Sequence, residues 1–299
     1  MSRSRVLITG GGGQLASDLA LLYGARSEVQ APSRSELDIT DVAAVSTWFD
    51  QFRPDLVINC AAFHNVDICE REPAQSFNVN VTAVKQLAEL CAQGIAKFVH
   101  LSTNYVFDGR SEEAYDEDAC PAPEGIYAIS KLAGEYAALT YAPGALVART
   151  GGLYGLHGSQ SKGGNFVTRM LARARQQGSL KMVADQRLSP TFTAHLAEGL
   201  VEAIEHDVAG VVHLTCSGEC SWYEFTEAIM DIAGIEVPIE PVSTSVPPGG
   251  ARRPLNGVLT RRRTDACGLT PLPHWRDSLS QYMTRINENA NRQLAGYGS

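Results

Sequence analysis

Along the first half of the chain, short apolar runs alternate with longer stretches whose apolar positions recur at helical spacing. The first run, Arg5-Val6-Leu7-Ile8-Thr9, predicts a strand and ends on four glycines, Gly10 to Gly13. A helical pattern then runs from Gln14 to about Tyr23. Glu28-Val29-Gln30 predicts a second strand, which ends in Ala31-Pro32-Ser33-Arg34. Asp41 to Phe52 predicts a helix, with Asp41 at its start and Val42, Val45, Trp48 and Phe49 at helical positions. Asp55 to Ala62 predicts a buried strand ending in small residues, Gln75 to Cys91 one long helix, and Lys97 to Thr103 the next strand. Strands alternating with helices imply an α/β fold, a Rossmann-like doubly wound parallel sheet. Ligands bind such sheets outside the carboxyl ends of the strands. The glycine turn, Ala61-Ala62-Phe63 and Thr103 all fall on that edge.

The second half reads as a smaller α/β region. Gly155 to Gly164 is a loop rich in Gly and Ser, for which a lid over a substrate and a plain connector both stand as readings. Asn165 to Gln176 predicts a helix whose Arg169 and Arg173 share a solvated face. Thr193 to His206 predicts another helix, and Val211 to Leu214 a strand. Ser221-Trp222-Tyr223-Glu224 is a capping box opening a helix through Ala233. The polar tail after Asn287 is expected to fray. The division expected is a nucleotide-binding domain over 1–150, with return segments near 185–215. A substrate-binding region would take 151–184 and 216–299.

Composition narrows the function classes. With 44% hydrophobic and 19% charged residues, the 299-residue chain can bury one large or two smaller cores. A net charge of -8 argues against a general nucleic-acid or anionic-membrane surface. No apolar run approaches the roughly 18 residues of a membrane span, and Val6 to Ile8 is too short for a signal-peptide core. The seven cysteines form no Cys-x-x-Cys pair. These features predict a cytoplasmic protein without a metal. A homodimer is left open as the assembly.

Two constellations carry chemistry. After the first strand, Gly11-x-Gly13-x-x-Ala16 and Gly10-x-x-Gly13-x-x-Ala16 both fit dinucleotide-binding spacings. Such glycines let the backbone approach a pyrophosphate, and the following helix supplies N–H groups and positive potential. An NAD site usually places an acid about 20 residues farther on. Here Gln30, Ser33 and Arg34 occupy that region, and an arginine suits a 2′-phosphate. The cofactor expected is therefore NADPH, with NADH open. The second constellation is Tyr127-Ala128-Ile129-Ser130-Lys131. On a helix Tyr127 and Lys131 share a face, and a nearby ammonium lowers a phenol's pKa, as a general acid beside a carbonyl requires. The pair alone is a weak signal; its agreement with the sheet edge carries the weight. His100, in mid-strand, reads as a packed residue. Arg252-Arg253-Pro254 follows an irregular Pro- and Gly-rich stretch. It reads either as a diphosphate clamp or as a solvated loop. Arg261-Arg262-Arg263 reads as an exposed helix start.

Taken together, these stretches resemble the extended short-chain dehydrogenase/reductases, and more closely the dTDP-4-dehydrorhamnose reductase family. The matching runs are Gly10-x-x-Gly13-Gln14-Leu15, Leu37-Asp38-Ile39-Thr40-Asp41, Pro54-Asp55-x-x-Ile58-Asn59-x-Ala61-Ala62 and Val66-Asp67-x-x-Glu70. Asn80-Val81, Ser102-Thr103-x-Tyr105-Val106-Phe107-x-Gly109 and Tyr127-x-x-x-Lys131-x-x-Gly134-Glu135 continue the series. Asp185-Gln186, Ser189-Pro190-Thr191 and Ala251-Arg252-Arg253-Pro254 close it, so order and spacing hold over nearly the whole chain. The resemblance implies reduction of C4 of a nucleotide-linked 4-keto-6-deoxysugar with NADPH or NADH. It implies Tyr127 as proton donor, Lys131 on the nicotinamide ribose, and Thr103 on the substrate oxygen. It also implies Asp38, Ile39, Ala61, Ala62, Phe63 and His64 along the cofactor.

Three departures bear on the sugar. Where the family usually has Asp after the active-site Thr, this chain has Asn104. Where the family has an Arg-Thr-Ser-Trp-like run, this chain has Arg149-Thr150-Gly151-Gly152, so Gly152 stands for an aromatic wall. A small hydroxyl residue three positions after the Pro is here Gly257. With Asn104, Gly152 and Arg253 as expected substrate contacts, the implied substrate is a dTDP-type nucleotide sugar, identical to the family's or modified. Two rivals stand beside this reading. One is a sugar-nucleotide epimerase or dehydratase of the same superfamily; the other is a non-catalytic NADP-binding regulatory subunit. The Ser33/Arg34 signal argues against the first. The intact Thr103, Tyr127 and Lys131 argue against the second.

Overall fold

The computed structural model describes residues 3–157, 164–247 and 249–296, with side chains to residue 288. The expected lid or connector at Gly155 to Gly164 therefore lies mostly outside the described residues, as does Pro248. Strands β1 (Arg5–Thr9), β2 (Glu28–Gln30), β3 (Leu56–Asn59), β4 (Lys97–Thr103), β5 (Leu146–Thr150) and, much later, β10 (Gly210–His213) form one six-stranded sheet in the order β10-β5-β4-β3-β1-β2. Every pairing in it is parallel. The chain reverses direction across the sheet between β1 and β3, and such a reversal opens the crevice where doubly wound sheets bind ligands.

Helices cover both faces. On one face, α1 (Gln14–Gly24) and α8 (Thr193–Glu205) pack over Val6, Ile8, Ile58, Val99 and Ala148. On the other, α2 (Val42–Phe52), α5 (Ala83–Gly94) and α6 (Ile126–Tyr141) pack over Leu7, Val57, Phe98 and Val147. Alternate residues of one strand thus feed two cores, which is why these strands read as continuous apolar runs. Asp41 caps α2 by accepting from the Ala44 amide at 3.0 Å, as its position before the apolar pattern predicts.

The predicted helix from Gln75 to Cys91 is in fact three pieces. After α3 (Val66–Arg71), the segment α4 (Pro73–Phe77) widens into a π-helical turn over Asn78–Thr82 before α5 begins. Such widened turns gather at functional sites, and this one points the buried Asn80 at the loop that follows β3. Asn80 accepts from the Phe63 amide at 2.9 Å and donates to the Phe63 carbonyl at 3.0 Å and to Ser130 Oγ at 2.9 Å. The strand predicted over Asp55 to Ala62 accordingly stops at Asn59, and Cys60 to Phe63 becomes loop on the carboxyl edge.

A separate apolar cluster underlies the second half. It gathers β6 (Leu153–Tyr154), α7 (Phe166–Gln177), β7 (Leu180–Val183), β9 (Thr191–Phe192), β11 (Cys220–Ser221), α9 (Trp222–Ala233) and β12 (Ile239–Val242); β8 (Arg187–Leu188) pairs with β11. The capping box predicted at Ser221 is complete: the Glu224 amide donates to Ser221 Oγ at 3.1 Å, and the Ser221 amide donates to Glu224 at 2.6 Å. After α10 (Arg262–Ala266), the last helix, α11, runs Trp275–Gly296. Past Asn287, where the polar sequence predicts fraying, the backbone continues as helix to Gly296. No helix among the described residues is long and apolar enough to cross a membrane.

Candidate active site

The glycine turn sits where β1 leaves the sheet beside β3. Gly10 has a φ of 76°, open to glycine and costly for other residues, and a β-carbon there would lie 2.8 Å from the Ala61 amide nitrogen. A β-carbon on Gly11 would collide with the Ala31 carbonyl; instead the Gly11 amide donates to the Pro32 carbonyl at 2.9 Å. Gly13 starts α1 with no side chain capping its first turn. The first-turn N–H groups of α1 are thus left for an anion, as a pyrophosphate needs. These features fit the dinucleotide predicted for this turn.

The other expected cofactor residues divide into backbone and side-chain roles. The Leu15 and Ile39 side chains are buried in the cores, so only their main chain can face a ligand. Ala61 and Ala62 lie on the loop after β3. Phe63 is fixed there by Asn80, and His64 Nδ1 lies 3.3 Å from the Ala62 carbonyl. Gln14 opens α1, with its Oε1 buried and without a hydrogen bond. In the loop after β2, Asp38 accepts from the Thr40 amide at 3.0 Å and the Thr40 hydroxyl at 2.7 Å, and Arg34 Nε reaches it at 3.3 Å. Arg34 is otherwise exposed. Ser33 spends both its amide and its hydroxyl on Glu36, each at 2.7 Å. These bonds hold the Glu36 carboxyl below its ordinary pKa. Glu36 is a residue that the sequence reading passed over.

Across the crevice, β4 ends in Thr103 and α6 begins with Ile126. The Ile126 amide is capped by Glu70 of α3 at 2.7 Å, which fixes the helix one residue before Tyr127. Burial raises the pKa of the Tyr127 hydroxyl, and the neighbouring Thr103 side chain opposes the rise. The Tyr105 ring meets the Tyr127 ring edge-on at 5.9 Å. The expected lowering of the Tyr127 pKa by Lys131 is not found here. Lys131 turns onto β4 instead, donating to the Leu101 carbonyl at 2.6 Å and lying 3.2 Å from His100 Nε2. Burial, opposed by Glu135, brings the Lys131 pKa down to about 8. His100 is packed, as predicted, yet it is also the partner of this lysine. Its Nδ1 lies 3.1 Å from the Asn59 amide, and Asn59 Oδ1 accepts from Thr9 at 2.6 Å. Burial and the neighbouring lysine hold His100 well below its ordinary pKa, so the ring is neutral.

Behind this pair, Arg149 of β5 and Glu135 of α6 form a two-pronged buried ion pair at 2.9 and 2.7 Å, and Ser102 donates to the same carboxylate. The three residues tie α6 to β4 and β5.

The expected substrate contacts fare unequally. Arg253 is brought to the crevice mouth, where it pairs with Asp67 at 2.8 Å and its charge acts on the buried Tyr105 hydroxyl. Asn104 is a correction: it is buried, and it faces the protein rather than the cleft. Its amide donates to the Gly257 carbonyl at 2.8 Å. Gly152 is also more than a missing aromatic. With a φ of 59° and a β-carbon position 2.7 Å from Leu188 Cδ1, its backbone leaves no room for a side chain on that side.

The site thus brings together a glycine turn after β1, Thr103 at the end of β4, and Tyr127 with Lys131 one turn farther along α6. The chain is 38% identical over 281 residues to the spore coat polysaccharide biosynthesis protein SpsK of Bacillus subtilis, covering 94% of this chain and 97% of that one. It is 36% identical to the dTDP-4-keto-6-deoxy-D-glucose reductase of Streptomyces niveus, covering 95% and 98%. The solved structure of dTDP-4-dehydrorhamnose reductase from Bacillus anthracis in complex with NADP superposes with a TM-score of 0.90 at 33% identity, covering 95% of this chain and all of that one. The profile of the RmlD substrate binding domain matches residues 4–288, and the chain belongs to that family.

Proposed function

We propose that this protein is an NADPH-dependent nucleotide-sugar 4-ketoreductase, acting on the 4-keto group of a nucleotide-diphosphate 6-deoxysugar with dTDP as the nucleotide. The observation that carries the reading is the placement of the buried Tyr127 hydroxyl beside Thr103 at the carboxyl end of β4, with Lys131 one turn along α6. The activities named for the two reductase relatives support it.

When bound, the dinucleotide supplies the hydride. The rest is work for the chain. Gly10, Gly11 and Gly13 with the start of α1 would hold the pyrophosphate, and the loops after β2 and β3 would line the rest of the dinucleotide. Thr103 donates to the ketone oxygen and orients it. Tyr127, whose raised pKa keeps its hydroxyl protonated at neutral pH, gives its proton as that oxygen gains charge. Lys131, an ammonium below about pH 8, turns from Leu101 and His100 to the ribose and to the phenolate left behind, which a nearby cation stabilises. Arg253 exchanges Asp67 for the diphosphate.

The test is NADPH oxidation over a panel of nucleotide-linked 4-keto-6-deoxysugars, with Tyr127→Phe beside the wild type. Turnover of at least one sugar is expected, and a loss of about 100- to 10,000-fold in kcat for the variant, with NADPH binding retained. Equal turnover by Tyr127→Phe would remove the proton-donor role. A wild type that turns over no sugar of the panel would remove the ketoreductase reading.

A further inference from the structure

Three residues that look unrelated in the sequence, Asn104, Gly151 and Gly257, meet in one buried slot. Asn104 follows Thr103 directly. Its Oδ1 lies 3.4 Å from the Thr103 hydroxyl, which donates to it, and its Nδ2 donates to the Gly257 carbonyl at 2.8 Å. A β-carbon on Gly151 would lie 2.6 Å from Asn104 Oδ1, and one on Gly257 would collide with Nδ2. Both walls of the slot are therefore bare backbone, and only two glycines let the amide in. Gly257 is anchored in turn by its own amide, which donates to the Arg187 carbonyl at 2.8 Å. The segment leading to it carries Arg253. One side chain thus joins the substrate-facing threonine, the exit of β5 and the arginine-bearing loop.

We infer that Asn104 is a positioning residue for the reduction, matched to the absent side chain at Gly257, and that the two act as one unit. The inference rests on the ketoreductase reading. An amide has a donor end and an acceptor end, and the slot uses both. The acceptor end takes the Thr103 proton in a long, weak bond that a substrate oxygen can displace. The donor end holds the Gly257 loop. Aspartate has the same shape but only acceptors. It would set a carboxylate oxygen against the Gly257 carbonyl in a buried slot, at the cost of an unmade hydrogen bond. It would also grip the Thr103 hydroxyl in a stronger, charge-assisted bond. A serine at position 257 would supply the hydroxyl donor that a carboxylate lacks, while crowding the amide that is there now.

The expected signature is a reversal of sign. Asn104→Asp lowers kcat for the sugar by about 10- to 100-fold, with the Kd for NADPH unchanged. Gly257→Ser lowers kcat on the natural background and raises it on the Asn104→Asp background. An element that merely held the fold would lower melting temperature without this split between kcat and cofactor affinity. Should Asn104→Asp fail to fold, Gly257→Ala, which brings the crowding alone, must still lower kcat at unchanged NADPH affinity. An Asn104→Asp enzyme with wild-type kcat overturns the inference. So does a Gly257→Ser effect equal on both backgrounds, or a Gly257→Ala enzyme with full kcat. These results require an active wild type, so they are distinct from failure of the ketoreductase reading itself.

Discussion

On the cofactor side of the crevice, main chain meets main chain: Gly11 against Pro32, Gly10 against Ala61, one parallel strand against the next. On the substrate side, single side chains reach across long stretches of sequence. Asn104 reaches Gly257, Arg253 reaches Asp67, and Arg187 reaches Glu219. The first kind of contact is fixed by local backbone rules and tolerates one kind of ligand, a diphosphate lying over glycines. The second depends on a few residue identities and can be retuned by changing two of them.

The sharpest test compares two ion pairs, one buried behind Tyr127 and one at the surface. Glu135 and Arg149, both nearly inaccessible, join the catalytic helix to the sheet. Arg187 and Glu219 are 44% and 45% exposed. Glu135→Gln should cost about 3–5 kcal/mol, because it leaves a buried guanidinium without its countercharge. Glu219→Gln should cost less than about 1 kcal/mol, as water and salt screen an exposed pair. Urea unfolding of the two variants beside the wild type reads both numbers. Similar costs would mean that burial does not set the worth of these two pairs.

The same contrast explains what the sequence made legible. Strand β4, from Lys97 to Thr103, and the capping box at Ser221 follow from neighbours a few residues apart, and the structure has them where the pattern put them. The Tyr127–Lys131 spacing likewise survives, since both lie on α6. What the pattern hid depends on tertiary neighbours. The π turn at Asn78–Thr82 has the composition of an ordinary helix, and only its bonds to Phe63 and Ser130 give it a purpose. His100 looked like packing because nothing in a strand pattern names the lysine 31 residues away that it meets. Asn104 beside the active threonine looked like a substrate contact. Its partner is 153 positions distant, and the glycines that admit it leave no signal in a hydropathy pattern.

A smaller effect should appear at Arg253. In the structure its charge is occupied by Asp67, with which it shares a half-exposed contact. Arg253→Ala should raise KM for the nucleotide sugar by roughly 10- to 100-fold, the worth of a hydrogen bond to a charged group, with little change in NADPH affinity. Asp67→Asn should lower KM, since the diphosphate no longer competes with a carboxylate. Steady-state kinetics at fixed saturating NADPH separates the two. A KM unmoved by either substitution would return Arg253 to the role of a solvated loop residue.

The smallest effect concerns the side chains of the loop after β2. Arg34 stands ready for a 2′-phosphate, but the donors of Ser33 are held by Glu36, whose carboxylate adds a negative charge beside the same site. The two influences oppose each other. Water screens exposed charges even at contact distance, so each should shift the ratio of NADPH to NADH affinity by several-fold and no more. Glu36→Gln should raise that ratio, because the phosphate loses a repulsive neighbour and gains the Ser33 donors. Arg34→Ala should lower it. Binding titrations of both dinucleotides to the three proteins give the ratio directly. A Glu36→Gln ratio equal to that of the wild type would mean that the 2′ position of the adenosine lies away from the Ser33 turn, and that cofactor choice in this enzyme is set elsewhere on the glycine side.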